Sequence, residues 1–283
     1  MNRRFYYWVD ILGMKNKKLK IGIFSLTCCE GCEFAILDLG EKFLKLAEKV
    51  DIINFRLLEE NKHPKIEEYD VAFVEGSPIT KENEKTLKKI RKNSRLLVAL
   101  GNCAAMGGIH QIKNWEHAAG GSSPTNYESK RITNKSKIVK AVYKYWQYVE
   151  NPAVPRLDEV VKVDFTIPAC PISGEEFLEI VYNLINGKKL KEKTNPVCRE
   201  CQTRGFACLL QKGQICLGPI TCGGCGAVCL SGSQPCWGCR GRIKNSKGSE
   251  EAVANLLNHL TKNYPAKKIE WAKEFFGIKK ELG

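Results

Sequence analysis

The chain is poor in histidine, has no long apolar run and shows no internal repeat. Its four histidines, His63, His110, His117 and His259, stand isolated in 283 residues. Isolated histidines read as surface or core side chains rather than as a metal-binding cluster. No stretch of about 18 consecutive apolar residues occurs, so no spanning helix is predicted. Without a repeat, array architectures are set aside. Gly22 and the glycines of "GNCAAMGG" do not form a GxGxxG fingerprint, so no nucleotide-binding loop is read here. Acidic residues are in deficit as well, 31 against 45 Lys and Arg, for a formal charge of +14. The lysines are interleaved with glutamates, as in "KENEKTLKKIRKN", and do not gather in one aromatic-rich patch, which argues against nucleic-acid binding. Near the start, Arg3-Arg4 is a twin-arginine pair, but Lys15, Lys17, Lys18 and Lys20 follow where a secretion signal needs an apolar core. We read this segment as an extension other than a signal and expect a cytoplasmic protein.

What is present begins with alternating elements. Residues 19–26 ("LKIGIFSL"), 51–58 ("DIINFRLL"), 69–76 ("YDVAFVEG"), 95–103 ("RLLVALGNC") and 160–170 ("VVKVDFTIPAC") read as buried strands, being apolar and rich in β-branched residues. Between and after them, residues 33–49, 81–93, 135–150 and 173–186 read as helices; Phe34, Leu37, Phe43, Leu44 and Ala47 mark the first. Strands alternating with helices predict an α/β fold, a flavodoxin-like doubly wound parallel sheet. The segment 106–150 is less regular. Its aromatic stripe, Tyr143, Tyr145, Trp146 and Tyr148, is read as packing rather than cofactor contact. From 196 to 245 periodicity is lost, and two terminal helices are expected at 249–260 and 265–278. The domain division expected is 18–190, 195–245 and 246–283.

Fourteen cysteines are many for a chain expected in a reducing compartment, where such residues serve metals more often than disulfides. Five are spread over the first 190 residues and nine fall between Cys198 and Cys239. "TCCEGCE" follows the first strand, Cys103 ends the fourth and Cys170 ends the fifth. Open parallel sheets bind ligands beyond the carboxyl ends of their strands. Cys29, Cys32, Cys103 and Cys170 would therefore meet as one thiolate quartet, with glycine and proline flanks that let the backbone approach a bulky group. In the cysteine-rich segment, Cys198, Cys201, Cys208 and Cys216 make a second quartet. Cys225, Cys229, Cys236 and Cys239 make a third. The segment has too little apolar material to fold by burial alone and is expected to need metal. Four thiolates suit zinc or a four-iron cluster. Ligands drawn from distant strand ends are uncommon for structural zinc, and three quartets in one chain point to electron transfer. A four-iron cluster with its four thiolates carries about −2, so three of them would bring the chain's charge to roughly +8.

The stretches "GIFSLTCCEGCE", "VAFVEGSP", "LGNCAAMGGI", "VDFTIPACP", "CRECQTRGFAC", "CLGPITCGGCGAVC" and "PCWGCRG" together make residues 18–245 similar to the small, electron-transferring subunit of cytoplasmic NiFe hydrogenases. The likeness is strongest to the delta subunit of the archaeal soluble, sulfhydrogenase type. That resemblance implies three 4Fe-4S clusters: a proximal one on Cys29, Cys32, Cys103 and Cys170, a medial one on Cys225, Cys229, Cys236 and Cys239, and a distal one on Cys198, Cys201, Cys208 and Cys216. It implies a partner large subunit bearing the nickel–iron centre, a flavin-bearing or ferredoxin-like partner that exchanges electrons, and no catalytic residue on this chain. Two cysteines depart from the family pattern, Cys28 and Cys222, where a non-cysteine and an arginine are expected. The tandem Cys28-Cys29 also resembles the related cluster-bearing subunit of respiratory complex I, which shares the N-terminal fold but lacks the second eight-cysteine region. A zinc-binding structural or nucleic-acid-binding protein and a membrane-associated, quinone-linked subunit are the other readings. Glu30 and Glu33 flank the first motif as candidate proton relays, although acids in a first helical turn are also favoured by the helix dipole. Arg240 and Arg242 are read either as offsets to cluster charge or as solvated surface.

Overall fold

A computed structural model describes residues 18–58, 68–111, 154–244 and 248–282. Five strands, β1 (Leu19–Ser25), β2 (Val50–Phe55), β3 (Tyr69–Glu75), β4 (Ser94–Leu100) and β5 (Phe165–Ile167), pair in parallel in the order β2-β1-β3-β4-β5. This is the flavodoxin-like order, with its switch point between β1 and β3. All seven residues of β3 are buried, as a central strand covered on both faces requires.

Alternation along the strands sends side chains to two cores. Ile21, Ile23, Val71, Phe73, Leu96 and Val98 face α1 (Gly31–Leu37), α2 (Glu41–Ala47) and α5 (Gly174–Ile185), meeting Ile36, Phe43 and Phe177. Phe24, Ala72, Val74, Leu97 and Ala99 face α3 (Lys81–Lys92) and α4 (Gly101–Met106), meeting Leu87, Ile90 and Ala104. The lysine-rich α3 buries only Leu87 and Ile90, and Thr80 and Asn83 close its N-terminus in a capping box. Each buried aliphatic contributes roughly 1.5–3 kcal/mol and the cap about 1 kcal/mol toward holding it.

In the sheet half four element boundaries differ clearly from the sequence expectation, each for a local reason, and of the terminal helices the one expected over 249–260 runs on to Asn263 while the one expected over 265–278 ends at Glu274. The helix expected over 33–49 is two helices, broken at Gly40, whose φ of 54° leaves the helical region. The second strand ends at Phe55 and gives way to a 3-10 turn over Arg56–Leu58. The fourth strand ends at Leu100 because Gly101, at φ 83°, turns the chain directly into α4. Cys103 is therefore helical. The fifth strand contracts to three residues: Pro168 has no N–H to extend the ladder, and before the strand the Asp164 carboxylate accepts the Leu97 N–H at 3.0 Å. The helix expected over 135–150, with its aromatic stripe, lies outside the described residues, as do His63 and His117.

The cysteine-rich segment contains α6 (Val197–Thr203) and the single turn α7 (Val228–Ser231). Its scarce apolar side chains do find a core, borrowed from downstream. Ile215, Leu217 and Ile220 pack with Val253, Leu256 and Leu260 of α8 (Ser249–Asn263) and with Ile269 and Ala272 of α9 (Ala266–Glu274). Trp237, between two cysteines, stacks edge-on against Trp271 at 5.0 Å. A last short helix, α10 (Lys279–Leu282), follows. Among the described residues no helix is long and apolar enough to cross a membrane.

Candidate cluster-binding cysteines

All fourteen cysteines are free thiols. Cys29 and Cys32 sit on the turn from β1 into α1, where Glu30 adopts φ 62° and the helix lacks a side-chain cap of its own. The cap comes from across the sheet. Glu75, the last residue of β3, accepts the N–H of Cys32 at 3.2 Å and that of Glu33 at 3.1 Å. A carboxylate at a helix N-terminus is favoured by the dipole and by the otherwise unpaired donors. Cys103 lies in α4. The Asn102 N–H donates to Ala169 O at 2.7 Å, drawing the start of that helix to the loop that carries Cys170.

These four thiols are neighbours. Burial pushes the Cys103 thiol up to about 12, and the charges of Cys170, Cys29 and Glu75 add to it. Cys170 is raised by burial and then by Cys29, Glu75 and Cys229. Cys32 is raised by burial, by Glu75 and by Cys103. Glycines make room around the sulfurs. A Cβ on Gly101 would collide with Cys32 Sγ, and one on Gly108 would stand 2.6 Å from Cys103 Sγ. Cys29 and Cys170 reach the surface, whereas Cys32 is buried.

In the cysteine-rich segment, burial pushes Cys198 up to about 12, with Cys216, Cys201 and Cys208 as its charged neighbours. Cys239 is also pushed up to about 12, by burial and then by Cys225, Cys229 and Cys170, with the Cys170 backbone opposing the rise. The Cys236 N–H donates to Cys216 Sγ at 3.4 Å. A Cβ on Gly218 would come within 3.2 Å of Cys198 Sγ and 3.5 Å of Cys216 Sγ. The quartet from Cys225 to Cys239 thus meets the Cys198–Cys216 quartet through Cys236 and Cys216, and the first through Asn102, which donates to Cys239 O. Among the described residues no three His, Cys, Asp or Glu side chains close on a single ion.

Three supporting residues were not singled out in the sequence, although each lies within a stretch quoted above. Glu75 is one; an acid ending an otherwise apolar strand was its only sequence signal. Glu200, between Cys198 and Cys201, accepts the N–H groups of Gly224 at 2.5 Å and Ala227 at 3.2 Å, tying α6 to the loop of Cys225. Asn102 is the third, its side-chain amide donating to Cys239 O at 2.8 Å. Of the candidate relay acids, Glu30 is ion-paired with Arg56 near the surface. Glu33 is fully buried, and Ser25 Oγ donates to one of its oxygens at 2.5 Å. Burial, chiefly, raises Glu33 to about 7, with Glu75 adding to the shift and Ser25 opposing it. Its Oε2 has no protein partner.

Arg240 and Arg242 are not solvated surface. Arg240 is 3% exposed and bidentate to Glu176 at 2.7 and 2.9 Å, and Arg242 pairs with Glu250. His110 contacts Ser77 Oγ at 3.3 Å, and burial lowers its pKa. His259 lies near Asn263 on α8. Cys28 stands beside the first quartet, raised by burial and then by Glu75, Glu33, Cys103 and Cys29. Cys222 points elsewhere, donating to Lys193 O at 3.0 Å.

Residues 29–184, more than half of the chain, match the family described as NADH ubiquinone oxidoreductase, 20 Kd subunit. The chain belongs to that family. Within the 20 Kd subunit family its relatives include the delta subunit of sulfhydrogenase 2 from Pyrococcus furiosus, 34% identical over 243 residues that cover 84% of this chain and 94% of that one. The delta subunit of the NAD-reducing hydrogenase of Cupriavidus necator is 30% identical over 178 residues, covering 60% of this chain and 80% of that one. The resemblance read from the motifs agrees with these relatives. An actinobacterial-type NiFe-hydrogenase structure from Ralstonia eutropha H16 superposes with a TM-score of 0.53 over 87% of this chain and 90% of that one at 17% identity, which shows a shared fold.

Proposed function

We propose that this chain is the electron-transferring small subunit of a NiFe hydrogenase and holds three 4Fe-4S clusters on its three cysteine quartets. One observation carries the proposal: the Cys225–Cys239 quartet is tied to the first by the side chain of Asn102, the neighbour of Cys103, which donates to Cys239 O at 2.8 Å, and to the Cys198–Cys216 quartet by the Cys236 N–H, which donates to Cys216 Sγ at 3.4 Å. The Cys225–Cys239 quartet therefore stands between the other two in a series that starts at the carboxyl edge of the sheet. That order supports proximal, medial and distal roles for the quartets beginning at Cys29, Cys225 and Cys198.

The donor set fits the group. Every candidate ligand is a thiol, the site glycines leave space that a Cβ would fill, and burial works against charge on the Cys103 and Cys198 thiols, which a positive core would offset. A bound iron core inverts that electrostatic balance and stabilises the thiolates. When bound, such clusters supply one-electron storage. The chain's own residues do the rest. The thiolates bind, Glu75 and Glu200 hold the helices that carry Cys32, Cys198 and Cys201, and α8 and α9 cover Ile215, Leu217 and Ile220 of the cysteine-rich segment. The surface-reaching Cys29 and Cys170 mark the side on which a large subunit bearing a nickel–iron centre would dock. A flavin-bearing or ferredoxin-like partner would take electrons at the Cys198–Cys216 end. Glu33, buried with one oxygen unpartnered, is the better placed of the two candidate relay acids. The chain divides into a sheet domain, residues 18–190, and a cysteine-rich domain, residues 195–245, covered by the helices of 246–283. The setting is cytoplasmic.

Metal analysis of the purified complex tests this directly, with about twelve irons and twelve labile sulfides expected per copy of this chain. Zinc in place of iron would overturn it. Cys103→Ala should remove about four of those irons and uncouple hydrogen turnover from external acceptors, leaving the cysteine-rich segment loaded. The tandem Cys28-Cys29 and the family's description keep a complex I-like role as the second reading. Co-purification with a quinone-linked membrane partner, rather than with a hydrogenase large subunit, would select it.

A further inference from the structure

The cysteine-rich segment is almost without acids. Between residues 195 and 244 Glu200 is the one carboxylate, against Arg199, Arg204, Lys212, Arg240, Arg242 and Lys244. It stands between Cys198 and Cys201 on α6. Residues three apart on a helix share a face, and a residue between them lies off it. The two cysteines and the acid of α6 therefore serve different neighbours. Glu200 Oε1 accepts the Gly224 N–H at 2.5 Å, Oε2 accepts the Ala227 N–H at 3.2 Å, and the Cys225 thiol lies 3.9 Å from Oε2. An acid between two cysteines of one quartet thus reaches a cysteine of the next.

The loop it grips is tightly wound. Gly224 at φ 116°, Gly226 at φ 64° and Ala227 at φ 53° all have positive φ. Ala227 is fully buried and keeps that conformation in spite of its Cβ, which calls for support from outside the loop. Gly223 clears the path, since a Cβ there would stand 3.0 Å from Glu200 Oε1. The carboxylate has no counter-ion: among the described residues it forms no ion pair. Arg240 borders Gly224, but two bonds at 2.7 and 2.9 Å to Glu176 neutralise it. Arg204 borders Gly226, but it is exposed, where water and salt screen its charge.

We propose that Glu200 is a positioning residue that braces the Cys225 loop from the helix of the neighbouring quartet, and that its charge holds the Cys225–Cys239 site at a lower reduction potential than the thiolates alone would set. This rests on the cluster assignment above. Reduction of that site adds one electron and moves no proton or atom, so the site gains one negative charge beside a fixed negative group. The carboxylate opposes that step. An electron received from the first site is then passed on, the second site being oxidised by one and the Cys198–Cys216 site reduced by one.

The test uses the full chain in its complex, as Glu200→Gln, which keeps the shape and loses the charge, and as Glu200→Asp, which keeps the charge and shortens the reach. Iron content, hydrogen exchange at the Gly224 and Ala227 amides and a dithionite titration of the second cluster are the readouts. Iron per chain should match the wild type in both variants. In Glu200→Gln the reduced-to-oxidised ratio of the second cluster at a fixed potential should rise about tenfold, or about 59 mV for one electron. One of the two amides should also exchange faster there, because glutamine offers a single oxygen. In Glu200→Asp the ratio should stay within about threefold of the wild type, while both amides exchange about tenfold faster, the worth of about one hydrogen bond each. An unmoved potential in Glu200→Gln overturns the electrostatic role, and wild-type exchange at both amides in Glu200→Asp overturns the brace. Iron loss from both variants would make Glu200 a folding element and sink the claim on the potential. Zinc in the wild-type protein would instead refute the cluster assignment, while the exchange comparison would still report on the brace.

Discussion

The sheet half and the cysteine-rich segment reach similar thiol groupings by opposite routes. In the first, a doubly wound sheet with two aliphatic and aromatic cores presents Cys29, Cys32, Cys103 and Cys170 at one edge. Strand pairing and side-chain burial specify that geometry before any ligand arrives. In the second, eight cysteines stand on two short helices and connecting loops, and the apolar contacts of Ile215, Leu217 and Ile220 depend on helices further along the chain. There, site and fold depend on each other. A scaffold built from burial tolerates an empty site, whereas one built around a site does not.

The sharpest way to separate the two is to strip the metal. Chelation of the full complex should speed amide exchange across residues 197–243 by roughly a thousandfold or more, while β3 amides keep their protection. Equal loss in both halves would erase the contrast. A smaller, local break comes from Gly101→Ala. Its Cβ would run into Cys32 Sγ, and the residue holds φ 83°. We expect about 1–3 kcal/mol of destabilisation in chemical denaturation and iron loss confined to the first site. Retention of full iron with wild-type stability would show that edge of the sheet to be more yielding than its packing implies. The smallest effect is expected of Cys222→Ser. The hydroxyl can replace the thiol as donor to Lys193 O, so iron content should not change and the midpoint of denaturation should move by less than about 1 kcal/mol. Loss of about four irons would mean that Cys222 belongs to a quartet after all.

Most of the sheet half was legible because its signals are periodic or positional. Buried strands of apolar, β-branched residues reveal themselves, and cysteines just past them fall at the binding edge of any parallel sheet. What escaped was set by contacts between elements remote in sequence. Nothing near Asn102 tells that its amide meets Cys239, 137 residues away. Arg240 was open to two readings, an offset to cluster charge or solvated surface, because its partner, Glu176, lies on a helix of the other half. Glu75 could have been suspected, since an acid ending a strand buried on both faces must find donors. The break at Gly40 was hidden by an apolar pattern that continues on both sides of it. In the cysteine-rich segment spacing suggested the quartets, but the cover supplied by α8 and α9 depends on tertiary packing that spacing does not encode.

That cover has a bearing on how the protein is made. Translation delivers Cys198 through Cys239 before it delivers Val253, Leu256, Ile269 and Trp271, which close over Ile215, Leu217 and Trp237. Until those later residues leave the ribosome, Ile215, Leu217 and Trp237 lack their cover, so the chain around Cys216 and Cys236 completes its packing only after α8 and α9 have been made.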